Sequence, residues 1–406
     1  MTDTTLRGHR DFVRFWAADT VSLAGTHITT LALRAVAVLT LGATATGVGL
    51  LEAARWLPYL LFGLLAGVVV DRRRRLPMLV GADFARAAVL ALIPLLAFTG
   101  TLTMPSLIGL VVVFGTLSLF YDAAHQSFLP RLVPGARLVD ANARIEQTRS
   151  VAQGVGPFLG GALVKLVGGP LAILVDAVSY LVSGLLLARL RTTEQLDPAP
   201  RRDLRGEIRD GLRWVYRHPV LRPLALTSHL WFLFTAVVTT CYSVLVLDVL
   251  GFDAFEFGLT FAVGGLGGLI GASLSGRAGR RFGVGPTILA GRWLTPVAYA
   301  LVPLATSGAS GFVLLCAAQF LFFLAIGLDG PVEMGYRQAI TPDRMQGRMN
   351  ATIRSVNRGV IVLGAPLGGV LADWVGLRTA LWLAVAGLVG SAVAITASAA
   401  VRNAEV

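Results

Sequence analysis

The chain has 406 residues, of which 55% are hydrophobic and only 14% charged, and its mean hydropathy is +0.71. A soluble protein of this size carries about a quarter charged residues, so the composition excludes an ordinary soluble enzyme and fits helices packed in lipid. The net charge of +12 is almost all arginine, with Lys165 the one lysine. The arginines stand between apolar runs rather than on a solvated basic face, which argues against a nucleic-acid partner.

A spanning helix needs about 20 apolar residues. Such runs fall near 12–40, 47–70, 76–99, 104–127, 143–167 and 170–190, then near 222–248, 256–276, 284–305, 311–335, 350–372 and 376–400. The first is too long for the core of a signal peptide and is expected to be a retained span. The connections alternate in charge. One set carries Arg72 to Arg75, Arg131 and Arg137, Arg277 with Arg280 and Arg281, and Arg337, Arg344 and Arg348. The other set holds the uncharged stretches 41–46, 100–104 and 306–310 and the acidic 249–255, with Lys165 and Arg378 as basic exceptions. Arginine-rich loops stay in the cytoplasm, so the expectation is twelve spans with both termini cytoplasmic in a bacterial inner membrane.

The longest polar interval, Arg189 to Arg222, contains Asp197 to Pro200, and its stretch Leu204 to Tyr216 suits a short amphipathic surface helix. It divides the chain into an N-terminal six-helix bundle (1–190), a cytoplasmic linker (191–221) and a C-terminal six-helix bundle (222–406). The halves are related. Pro134 to Gly168 aligns without gaps on Pro342 to Gly376, pairing Asn142 with Asn350, Gly156 with Gly364 and Gly160-Gly161 with Gly368-Gly369. Repeats of this kind build secondary transporters, whose halves rock around a central cavity. Cys241 and Cys316 lie in apolar runs and suit small buried hydrophobes. No metal-ligand cluster, nucleophile constellation or phosphate-binding lysine motif occurs, so no cofactor or metal is expected and an ion gradient is the remaining energy source.

Three local patterns carry a resemblance. After the second run stand Gly67, Asp71 and Arg72 to Arg75; the fifth contains Gly156-Pro157-Phe158-Leu159-Gly160-Gly161; and Tyr121-Asp122, His125, Asn142-Ala-Arg144 and Asp176-Ala-Val-Ser179-Tyr180 complete the set. With the duplicated six-span layout, the sequence resembles the Major Facilitator Superfamily, in its branch of enterobactin exporters and macrolide-efflux proteins. The resemblance implies an all-α membrane fold of twelve transmembrane helices in two pseudo-symmetric bundles. It also implies a cytoplasmic latch built on Gly67, Asp71, Arg72 and Arg75 against the eleventh span, and an exporter motif at Gly156, Pro157, Gly160 and Gly161. Arginine stands where the family's loop usually has a glycine, and Ala152 replaces the motif's leading glycine. For the arginines the plainer alternative is topology alone, and for the glycines plain helix packing.

Ionisable residues inside spans are expensive and need a reason. Asp19, His27 and Arg34 lie within roughly 80° on one face of the first span at about 100° per residue. Glu52 and Arg55 stand one turn apart in the second. Depth suggests an Arg34–Glu52 pair, with Asp176 joining from the sixth span. This set is a candidate proton-responsive network; a structural ion pair, and for His27 a neutral buried histidine, are the alternatives. Asp329 and Glu333 in the tenth span are expected at the depth of Arg354 and Arg358 in the eleventh, and Asp122 and His125 opposite Arg144 and Arg149, as gate bridges. Trp56, Trp231, Phe234 and Tyr242 are candidate cavity aromatics, with lipid-facing belts as the alternative. The expected protein is a monomeric secondary active transporter, a proton-coupled exporter of bulky amphipathic small molecules such as an antibiotic, siderophore or natural product. An importer or lysophospholipid flippase of the same fold, or a non-transporting membrane sensor, are the alternatives.

Overall fold

The computed structural model describes residues 9–192, 194 and 204–402. Asp197 to Pro200 lie outside them, as does the side chain of Asp71.

Among the described residues the regular secondary structure is all helical. The helices are α1 (Arg10–Ala35), α2 (Ala45–Asp71), α3 (Arg75–Phe98), α4 (Met104–Leu132), α5 (Leu138–Val167), α6 (Gly169–Ala188), α7 (Leu204–Arg217), α8 (Leu221–Val244), α9 (Ala254–Phe282), α10 (Val284–Ala300), α11 (Ala309–Ala339), α12 (Asp343–Val375), α13 (Leu377–Ala397) and the short α14 (Ala399–Arg402). Among the described residues eleven helices are long and apolar enough to cross a membrane, and α2, 27 residues long, makes twelve. The fold is thus an all-α membrane fold of two pseudo-symmetric six-helix bundles, with α7 as an extra helix between them in sequence.

The helices run past the apolar runs. α5 begins at Leu138 and α12 at Asp343, each with a polar, arginine-bearing first stretch that hydropathy does not count as membrane. At the other ends the repeat shows in the backbone. Gly168 and Gly376 stop α5 and α12 at φ 84° and 90°, a conformation that costs an L side chain dearly and glycine little. α1 and α8 each end in a π-helical turn, Val36–Thr40 and Leu245–Val249.

Contacts divide the chain into two compact units: residues 1–41 with 57–200, and 42–56 with 201–406. In the first, glycines bring helices together where lipid offers no hydrophobic drive. A Cβ on Gly156 would lie 2.4 Å from the His27 Cβ, and one on Gly160 3.1 Å from the Ile28 Cα, so α5 closes on α1. In the second, Gly364 and Gly368 do the same for α12 against Leu233 and Val237 of α8. Gly267 and Gly271 of α9 meet the backbone of Phe320 and Leu324, which fixes α11. The start of α2 packs in this unit as well: Asp373 at the end of α12 accepts from the Ala45 N–H (3.1 Å) and the Thr46 N–H (3.0 Å).

Candidate transport site

The second unit holds a cavity of about 430 Å³, reached by side chains of α2, α8, α10, α11 and α12. Its polar wall is a buried cluster. Asp329, Glu333 and Arg337 recur every fourth residue, so they share one face of α11. Arg292 comes from α10, where Gly291 lets the helices approach: a Cβ there would lie 2.6 Å from the Asp329 Cβ. The Arg292 Nη2 donates to Glu333 Oε2 at 2.5 Å and its Nε lies 3.6 Å from Asp329 Oδ2, while Arg337 pairs with the other Glu333 oxygen. Two arginines thus offset two carboxylates out of water, the condition under which buried charges are tolerated.

The rest of the lining includes aromatic and basic side chains. Trp231 stacks on Phe322 at 6.0 Å, donates through Nε1 to Thr295 Oγ1 at 3.3 Å and lies under the Arg292 guanidinium at 5.7 Å. Trp56 lies under Arg358 at 5.6 Å and beside Arg55 at 5.6 Å. Arg354 lines the same cavity from α12. Asn357, also on the lining, accepts from the His229 Nδ1–H at 2.6 Å, leaving His229 Nε2 to accept from the Tyr216 hydroxyl at 2.8 Å. A hydrogen-bonded chain therefore runs from the end of α7 to the cavity wall, and α7 is held on α12 by the Arg348 pairs with Asp210 (3.1 Å) and Glu207 (3.9 Å).

The first unit holds a second buried cluster. Asp83 and Arg86 pair within α3, Asp83 also accepts from the Ser183 hydroxyl at 2.7 Å, and Arg86 lies over the rings of Tyr121 (3.9 Å) and Tyr180 (4.2 Å). His125 of α4 lies 3.0 Å from Asp19 of α1. Asp176, fully buried, accepts from the Ser179 hydroxyl at 2.8 Å beneath Gly25.

The expected site residues separate accordingly. Asp19 meets His125 from α4. Arg34 belongs to the first unit, whereas Glu52 and Arg55 belong to the second. Asp122 accepts from the Tyr59 hydroxyl at 2.7 Å, and Arg149 makes an exposed pair with Glu146 at 3.5 Å. Asp329 and Glu333 find Arg292 on α10, and Glu333 also holds Arg337 of its own helix, because α10 lies against α11 across Gly291. In the arginine loop, Arg72 is exposed, but Arg75 is buried beside Glu194, whose carboxylate accepts from the Arg75 and Leu76 N–H groups and caps α3. Gly156 and Gly160 serve close packing of α5 on α1, with Pro157 inside the helix and Gly161 buried. Trp56 and Trp231 line the cavity; Phe234 instead packs against Gly387, and Tyr242 is buried with its hydroxyl donating to Thr260 at 2.8 Å. Sequence reasoning passed over Asp83, Arg86, Arg292 and His229. Each was findable as an ionisable or titratable residue inside an apolar run.

The family profile described as transmembrane secretion effector matches residues 6–406. The multidrug efflux pump Tap of Mycolicibacterium fortuitum is 29% identical over 82% of this chain and 83% of its own. Macrolide efflux protein A of Streptococcus pyogenes is 23% identical over 95% and 94%. Among solved structures, a bacterial homologue of the iron transporter ferroportin in an inward-facing state matches with TM-score 0.77 at 16% identity, over 95% of this chain and 98% of that one. The nucleoside transporter NupG matches with TM-score 0.75 at 11% identity, over 96% and 98%.

Proposed function

Because the chain belongs to the transmembrane secretion effectors, transporters of the major facilitator superfamily, we propose that it is a proton-coupled exporter of bulky amphipathic small molecules. The observation that carries this reading is the cavity of the second unit, which tryptophans line together with a buried cluster of charge. An apolar, aromatic pocket with a few convergent polar groups is the usual form of a small-molecule site. The relatives named as multidrug and macrolide efflux proteins support outward movement of such cargo.

In this proposal the arginine-bearing connections face the cytoplasm of a bacterium, both termini lie there, and the protein works as a monomer with its halves divided at the 191–221 linker. Alternating access exposes the cavity to each side in turn. Proton coupling falls to carboxylates within the spans: Asp19, which His125 faces, and Glu52. Protonating such a carboxylate removes an ion pair in one state more than in the other, and that difference shifts the equilibrium between states. Asp71 with Arg72 and Arg75 is the proposed latch on the cytoplasmic side, aided by the free N–H groups at a helix start.

The test is proton movement in everted vesicles energised to an acidic interior, with a fluorescent pH probe and a panel of macrolides, tetracyclines and siderophores. Substrate-triggered loss of the gradient in wild type, absent in Asp19→Asn or Glu52→Gln, is the expected result. No response to any compound from folded protein would overturn proton-coupled export of these classes.

A further inference from the structure

The polar lining of the cavity is not all charge. Asn357 of α12 belongs to it and is only 9% exposed. Packing sets its place. Gly364 and Gly368 close α12 on Leu233 and Val237 of α8, and the same course, followed towards the starts of both helices, brings His229 against Asn357. The His229 Nδ1–H donates to Asn357 Oδ1 at 2.6 Å, and the Tyr216 hydroxyl holds the ring from behind through Nε2 at 2.8 Å. With its oxygen occupied, the amide has its NH2 left to offer, a group with two hydrogens to donate. Among the described residues that NH2 has no hydrogen-bond partner.

We infer that the Asn357 NH2 is a fixed hydrogen-bond donor of the cavity and that His229 and Tyr216 are its positioning residues. The site then favours flat apolar molecules that carry an uncharged acceptor oxygen, such as a ketone, ester or amide carbonyl. The reading rests on the transport site proposed above and gives that site a substrate class. Arg292 and Arg337 already bond Glu333, whereas the amide gives its hydrogen without disturbing an ion pair. A ligand oxygen placed there replaces water bond for bond. A ligand without one leaves a buried N–H unpaired, and a site built around a polar group rejects the analogue that cannot meet it. The apolar body finds the side chains of Trp231, Ile353 and Ile361. A volume of about 430 Å³ suits a ligand of two or three rings.

The test uses the full chain in phosphatidylcholine nanodiscs and three tritiated probes of one shape: fluorenone, whose carbonyl accepts; carbazole, whose N–H donates; and fluorene, which does neither. Bound probe, corrected for empty discs and referred to the concentration in the lipid, gives the affinities. Fluorenone is expected to bind about tenfold more tightly than fluorene, the strength of one neutral hydrogen bond, and carbazole no more tightly than fluorene. Asn357→Leu should bring fluorenone and fluorene within about twofold. Asn357→Asp keeps the oxygen that His229 bonds and puts a second in place of the NH2, so carbazole should overtake fluorenone. His229→Phe frees the amide to turn; it should weaken fluorenone and strengthen carbazole together, which a loss of packing alone would not do. His229→Asn, whose amide nitrogen stands where Nδ1 stood, should restore the wild-type order. Wild type that binds all three equally, or carbazole best, would overturn the donor while leaving the site standing. An unchanged fluorenone preference in folded Asn357→Leu would overturn its assignment to Asn357, and the same result in His229→Phe would overturn the positioning role. Failure of all three probes to bind folded wild type would overturn the site itself, and this inference with it.

Discussion

Each half of the molecule sets an arginine from its third spanning helix against its fourth. In the register that pairs Pro134 with Pro342, Tyr121 and His125 of α4 occupy the positions of Asp329 and Glu333 in α11. Against α4, Arg86 takes its carboxylate from its own helix, at Asp83, and is covered by the rings of Tyr121 and Tyr180. Against α11, Arg292 finds carboxylates on the other helix, so the ion pairs join α10 to α11 and face a cavity. One architecture thus carries a closed, locally neutral plug in the first half and an open charged wall in the second. The difference lies largely in two residues of a spanning helix, which shows how little of a duplicated scaffold need change for one copy to take up ligand chemistry.

The sharpest way to break this comparison is to remove the acid from each half. Glu333→Gln strands Arg337 and leaves Arg292 with Asp329 alone, and a loss of about 3–5 kcal/mol is expected, the usual cost of a buried charge left without its partner. Asp83→Asn strands Arg86 alone, with two aromatic faces still beside it, and should cost less. Thermal unfolding of both variants in one detergent ranks them; a larger loss for Asp83→Asn would show the first cluster to be the more demanding. Next in size is Gly291→Ala, whose methyl would press on Asp329 at 2.6 Å and should cost about 1–3 kcal/mol by overpacking together with ligand affinity. Beside the first cluster, Gly184→Ala on α6 meets the Phe84 ring at 3.1 Å and the Asp83 Cβ at 3.3 Å and should be milder.

Smaller effects separate ring from hydroxyl. Among the described residues the buried Tyr121 hydroxyl has no hydrogen-bond partner, so Tyr121→Phe keeps the face under Arg86 and should be neutral or slightly stabilising, whereas Tyr121→Leu should lose about 1–2 kcal/mol. Unfolding midpoints that fall equally for both would mean the ring face contributes nothing. The smallest effect lies outside the spans. His218 Nδ1 accepts from the N–H groups of Val220 and Leu221 at 3.2 and 3.3 Å, and burial holds its pKa below the ordinary value. Folding therefore favours the neutral ring. Its contribution is complete above the unfolded pKa of about 6.5 and is lost as pH falls through that value towards the lower folded one. Amide exchange at Val220 and Leu221, corrected for intrinsic rates, should quicken between about pH 7 and 5, and His218→Asn should abolish that change.

The fold was legible in the sequence because lipid imposes one rule on every span: a long apolar run with its charges kept to the connections. The twelve runs and the repeat needed nothing more. Helix ends were less legible, since the first turns of α5 and α12 are polar and extend the helix beyond the apolar run. The partners of the buried charges were not legible. Depth along the helices placed Glu333 near Arg354 and Arg358, but depth does not say which helices are neighbours. Gly291 decides that for α10 and α11, and a lone glycine in an apolar run carries no such message by itself. The aromatic assignments divided for the same reason: Trp56 and Trp231 face the cavity while Phe234 turns to Gly387, a matter of rotation about the axis that an all-apolar helix leaves unmarked.

The turns at Gly168 and Gly376 have a practical side. Large apolar side chains stand beside them, Leu166 two residues before Gly168 and Trp374 two before Gly376, both exposed, so an antibody or nanobody, which grips through tyrosine and tryptophan, finds apolar surface there. An epitope tag inserted at those corners would also have to replace a conformation that few residues accept. The exposed face of α7, with Arg205, Arg209 and Arg213 beside Ile208 and Leu212, offers both charge and apolar surface. Binding reagents raised to this protein should therefore gather on α7 and on the apolar flanks of the glycine corners.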